Sequence, residues 1–129
     1  MIQRIQSLYL LIAIICSIVA IAFLYVSLPE HDKAHYTYML VMFIGAFVDA
    51  VALVKFTQRK QQLKYILRAS ILNMMAICIS AFWVACDTCV IENKVLLILL
   101  PTLSLLFGHL AFRGIRADEL KVKAADRIR

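Results

Sequence analysis

The chain has 129 residues, 64% of them hydrophobic and 17% charged, with a formal net charge of +6. A soluble domain is nearer half apolar and a quarter charged, and a water-soluble chain this short has too little interior to cover so much apolar surface. The mean hydropathy of +0.87 suits a bilayer as solvent, and the basic residues flank apolar runs, so we read the charge as membrane flanking and expect no nucleic-acid partner.

The chain opens on a short polar stretch carrying Arg4, and residues 7–28 follow without a charge. At 1.5 Å per residue that stretch reaches about 33 Å, enough to cross the hydrocarbon core. A signal peptide would have a shorter apolar region, roughly 7–15 residues, ending in a polar cleavage segment. Here apolar residues continue on both sides of Ala20-Ile21-Ala22, so the stretch reads as a first span. A polar turn with Glu30, His31, Asp32, Lys33 and His35 leads to a second span at 36–56, interrupted by Asp49. The basic island 57–68, with Arg59, Lys60, Lys64 and Arg68, leads into a third span at 65–85. A second turn, 86–94, precedes a fourth span at 95–112, and residues 113–129 form a basic tail.

Orientation follows from the Lys/Arg count. With four spans, both termini and the basic island share a side. That side carries twelve of the fourteen Lys and Arg residues, and the other carries Lys33 and Lys94. The positive-inside rule places the twelve in the cytoplasm. Tyr25, Tyr36, Tyr38 and Trp83 then fall at the outer boundary, Tyr9 and Tyr65 near the inner one, where aromatic residues belong.

Each span carries small or polar residues at helical spacing. The sets are Ala13, Ser17 and Ala20; Gly45, Ala46, Asp49 and Ala50; Ala69, Asn73, Ala76 and Ser80; and Pro101, Ser104, Gly108 and Ala111. Apolarity does not drive helices together in lipid, so close packing along small faces matters more. Four such stripes predict an all-α fold: a four-helix transmembrane bundle (residues 1–112), antiparallel and up-down-up-down, with Leu, Ile and Phe turned to lipid. The tail 113–129 is predicted to continue the fourth helix into the cytoplasm, with Glu119 and Lys123 as a favourable i,i+4 pair. It could rest on anionic headgroups, at about 1 kcal/mol per basic residue near the surface, or dock a cytoplasmic partner.

Asp49 is the most informative single residue. It lies about 10 Å inside its span, and an intramembrane acid should face the bundle and find a partner. Asn73 lies at nearly the same depth and can donate through its amide; Arg68 and His109 lie nearer the inner interface. We take the Asp49–Asn73 pair as a polar clamp that fixes helix register. A proton or ion path through Asp49 and His109 is the alternative. Cys86 and Cys89 form a CxxC in the outer turn, which reads as a disulfide in an oxidising compartment. Redox catalysis would need a second cysteine pair, and Cys16 and Cys78 are single and placed in spans. His31 and His35 share that side, but nothing in the sequence joins them to the cysteines as a zinc site. Hence no metal or cofactor is expected. There is no Gly-rich phosphate loop and no nucleophile–His–acid set, so no enzyme is expected either.

The two ends of the chain carry a resemblance. Residues 1–11, Met-Ile-Gln-Arg-Ile-Gln-Ser-Leu-Tyr-Leu-Leu, resemble the opening of an uncharacterised family of small four-span proteins found in Bacteroidota, a family of unknown function. Residues 113–129 resemble its ending, where an Asp-Glu pair (Asp118, Glu119) precedes a terminal Ala-Asp-Arg-hydrophobic-Arg (Ala125 to Arg129). The resemblance implies a bacterial inner-membrane protein and brings no catalytic residues. Cys86 and Cys89 are not part of its pattern. It directs attention to the tail, where Arg113, Arg116, Asp118, Glu119, Asp126, Arg127 and Arg129 are candidates for contact with a protein partner.

Overall fold

The computed structural model describes residues 2–27, 33–86 and 94–126. They form four helices: α1 (Ile2–Ser27), α2 (Lys33–Val54), α3 (Arg59–Ala85) and α4 (Lys94–Asp126). Each is long and apolar enough to cross a membrane. A helix stands at each of the four expected spans and is longer than its apolar run, but α2 ends at Val54 and not at 56. α3 starts at Arg59 and takes most of the basic island into its first turns, with the Gln61 and Gln62 amides donating to the Gln58 carbonyl at 2.9 and 3.0 Å. α4 continues unbroken through Arg113 and Gly114 to Asp126. Arg, Lys and Gln are good helix formers, so charge marks where apolarity stops and not where the helix does.

α1 packs on α2 and α4, and α3 packs on the same two. Early residues of α1 meet late residues of α4, with Gln6 bonded to Asp118, and Ser17 meets Ser104 further in. The interior is rich in small residues. Ala13, Ala20, Ala46, Ala52, Ala69, Ala76 and Ala111 are buried, while Leu8, Ile18, Phe43, Phe47, Ile71 and Leu106 are exposed. This inverts the arrangement of a soluble core, and it suits helices whose outer faces meet lipid. All four small-residue stripes turn inward, with Ala50 alone among their members only half-buried.

The interior is layered. Towards the α2–α3 connector lies an apolar cluster of Leu10, Ala52, Ile66, Ala111 and Ile115. Towards the other end lies a second, of Ala20, Leu24, Tyr38, Met42, Ala76, Trp83 and Leu97. Trp83 turns into the bundle, its ring 4.6 Å from His35 and 5.7 Å from Tyr38. The buried polar residues Ser17, Asp49, Asn73 and Ser104, one from each helix, belong to neither cluster.

Pro101 sits inside α4. It has no N–H, so the carbonyl four residues back, that of Leu97, loses its helical donor. The fully buried Tyr38 hydroxyl supplies one from α2, donating to the Leu97 oxygen at 3.1 Å. Lipid offers no substitute donor, which makes this repair part of the fold. Tyr38→Phe should therefore lower stability by about 1–2 kcal/mol, measured by unfolding in mild detergent. In a Pro101→Ala background, where residue 101 donates to Leu97 itself, the loss should shrink below about 0.5 kcal/mol. Equal losses in the two backgrounds would show that the hydroxyl is not replacing the missing amide.

Candidate functional site

The polar layer is organised around the Ser104 hydroxyl. Ser104 Oγ donates to the Ala13 carbonyl at 3.1 Å, lies 3.0 Å from Ser17 Oγ, and accepts from Asn73 Nδ2 at 3.2 Å. Ser17 Oγ also reaches the Ala13 carbonyl, at 3.1 Å. Two hydroxyls carry two hydrogens, so two of these three hydroxyl contacts are donated at any moment. Either both serines donate to the Ala13 carbonyl, or one does and the other donates to its neighbour. Three helices are thereby tied at one depth by short side chains with little conformational entropy to lose.

Asp49 belongs to the same region of α2. It is 1% exposed, and neither of its carboxyl oxygens has a hydrogen-bond partner among the described residues. Its level follows from neighbouring contacts. A Cβ placed on Gly45 would lie 3.7 Å from Leu72 Cβ and 3.8 Å from Asn73 Oδ1. One turn along α2, Asp49 therefore comes level with Ala69. Asn73 meets Ser104, so Ala69 is level with Gly108 on α4. On α1, the contacts of Ala13 with Ser104 and of Gln6 with Gly114 bring Ala13 to the same depth. At the level of Asp49 the other three helices thus present Ala13, Ala69 and Gly108, all buried.

The structure brings Asp49 and Asn73 to adjacent levels but places no hydrogen bond between them, because the Asn73 amide nitrogen goes to Ser104. Asn73 Oδ1 remains buried without a partner, on the side facing α2. Arg68 and His109 are both exposed on the outside of the bundle, and the Arg68 guanidinium lies 5.6 Å from the centre of the Tyr65 ring. Cys86 ends α3, its amide donating to the Phe82 carbonyl at 2.9 Å, and its side chain is exposed. Cys89 and His31 lie outside the described residues, so the disulfide is not described. Among the described residues no cluster of three His, Cys, Asp or Glu side chains is placed to hold a metal ion. Ser17 and Ser104 were not singled out from the sequence as site residues. Their signal was present, since both lie on the small-residue stripes.

The tail is anchored at its root. Ile115 is buried, and Gln6 Nε2 donates to Asp118 Oδ2 at 2.7 Å. A Cβ on Gly114 would lie 3.1 Å from Gln6 Cγ, so glycine there lets the two helices approach. Beyond Asp118, Glu119 pairs with Lys123 at 3.0 Å, and Leu120 and Val122 are exposed. Glu119, Val122 and Lys123 face Thr57, Gln58, Arg59, Lys60 and Gln61 across an open cleft of about 590 Å³. Arg113 and Arg116 are exposed. The Asp126 side chain, Arg127 and Arg129 lie outside the described residues.

A family model described as a domain of unknown function, DUF4293, matches residues 26–128. The match takes in most of the closing motif. Comparison with the curated proteins and with the solved structures gives no match.

The root and the end of the tail should respond differently to substitution. Asp118→Ala removes a half-buried, charge-assisted acceptor and should cost about 1–2 kcal/mol. Glu119→Ala breaks a pair whose lysine is mostly exposed and should cost less than about 0.5 kcal/mol. Chemical unfolding in detergent distinguishes the two.

Proposed function

This chain belongs to the DUF4293 family, and on that premise we propose a non-enzymatic integral membrane protein, an assembly or interaction subunit that presents the end of α4 to a partner. Its four helices thread up-down-up-down through a bacterial inner membrane, as in the Bacteroidota proteins whose ends its own resemble. Both termini and the α2–α3 connector lie in the cytoplasm. The uneven division of Lys and Arg, twelve on that side and two on the other, supports this orientation.

The observation that carries the reading is the shape of α4. The bundle holds it as far as Asp118, which sits level with Gln6 near the start of α1. The two turns that follow project past that neighbour as continuous helix, with Leu120 59% and Val122 48% exposed. Anchoring at Gln6, Gly114 and Ile115 fixes the direction in which those turns leave. A held helix loses less entropy on binding than a free tail would. Arg59, Lys60, Lys121 and Lys123 surround it, so the same end also lies against anionic headgroups.

Photo-crosslinking residues placed at positions 120 and 122 in native membranes should give one discrete protein adduct. Leu120→Asp should abolish it, and probes at the lipid-facing positions Phe43 and Phe47 should not reproduce it. Deletion of residues 119–129 spares Ile115 and Asp118, so the bundle should survive while the adduct disappears. Lipid adducts alone from 120 and 122, together with a deletion that changes nothing, would contradict the reading.

A further inference from the structure

We propose that the polar layer is a closed binding site for a single monovalent cation, with Asp49 as its charged ligand and Ala13, Ala69 and Gly108 as its walls. The occupant is a proton or an alkali cation, the shared chemistry being one positive charge held by oxygen donors. This goes beyond the tail reading and does not depend on it.

Three observations converge. Asp49 is buried, and both its oxygens are without partners among the described residues. An ionised carboxylate in that position would be strongly disfavoured unless a positive charge met it. One turn away on α3, Asn73 turns Oδ1 towards α2; that atom is also buried, also an acceptor and also without a partner, so it offers no positive charge. The donors of the layer point elsewhere: Asn73 Nδ2 goes to Ser104, and the serine hydrogens serve the Ala13 carbonyl and each other. Unpartnered acceptors buried on neighbouring levels call for a proton or a cation.

The third observation is room. Gly108 is buried, yet a Cβ on it would meet no atom within 4 Å. Such space is uncommon in a packed interior, and here it lies at the depth of the unpartnered carboxyl. Among the described residues no charged side chain reaches it from the surrounding helices. Lys55 on α2, Arg68 on α3 and His109 on α4 are exposed. On α1, Tyr9 stacks against Phe107 and Cys16 is half-buried. The apolar clusters on either side close the site, so exchange requires the bundle to open.

Infrared spectroscopy of the full-length protein in proteoliposomes tests this. At neutral pH in Na⁺-free choline buffer, one aspartyl group should give a neutral carboxylic-acid C=O band. Isotope-labelled aspartate should shift that band, which makes it aspartyl, and Asp49→Asn should remove it; Asp32→Asn, Asp87→Asn, Asp118→Asn and Asp126→Asn should each leave it, which assigns it to Asp49 even if Asp49→Asn fails to fold. If the band persists when Na⁺ is added, the occupant is a proton. If it gives way to carboxylate bands, and Gly108→Ala blocks that exchange by filling the space, the occupant is an alkali cation. Aspartates that are all ionised in choline buffer would overturn the proposal. That result would mean the Asn73 amide turns a donor to Asp49 and no cation is needed.

Discussion

The Ser104 hydroxyl is the contact on which the arrangement of this bundle depends. It touches α1 through Ser17 and the Ala13 carbonyl, and α3 through Asn73, from its own position on α4. A hydrocarbon surrounding offers no competing hydrogen bonds, so polar atoms placed inside must find one another. A one-residue slip of any of these helices would turn a polar side chain towards lipid or an apolar cluster. The layer thus sets rotation and depth together, which small apolar residues alone do weakly.

The packing around the layer follows from the same constraint. Alanine and glycine line the interior so that backbones come close enough for serine and asparagine, which are short, to reach across. Many large apolar residues go outside because lipid accommodates them as well as a protein core would. At another depth the Tyr38 hydroxyl meets the Leu97 carbonyl freed by Pro101. At the connector end Gln6 meets Asp118. Polar contacts at three depths align helices whose outer faces carry little positional information.

Much of this was legible in the sequence, and the reason is periodicity. The stripes at helical spacing identified the inward faces, because in lipid small residues mark contact as large ones do in water. Pairings were less legible. Asn73 faces both Ser104 and α2, and only the helix levels decide which group its nitrogen takes. Arg68 and His109, nearer the inner interface, looked able to reach Asp49, but each stands one residue off its stripe, about 100° around the helix, and so faces outward. Ser17 and Ser104 passed as packing residues because a hydroxyl on a small-residue stripe satisfies both roles. The helix ends were legible least, since the residues that end the apolar runs still favour helix.

The function proposed for the tail and the site proposed at Asp49 use opposite features of one scaffold. The tail works through what α4 leaves exposed beyond Asp118, and the Asp49 site through what the four helices enclose. Both require the layer at Ser104 to hold the helices in register. The most direct test is a double-mutant cycle between Asn73→Ala and Ser104→Ala, read by equilibrium unfolding in mild detergent. A coupling of about 0.6 kcal/mol, the average for such bonds between membrane helices, or more, up to the maximum of about 1.7 kcal/mol, is the expected result. Additive losses, with no coupling between the two positions, would contradict it.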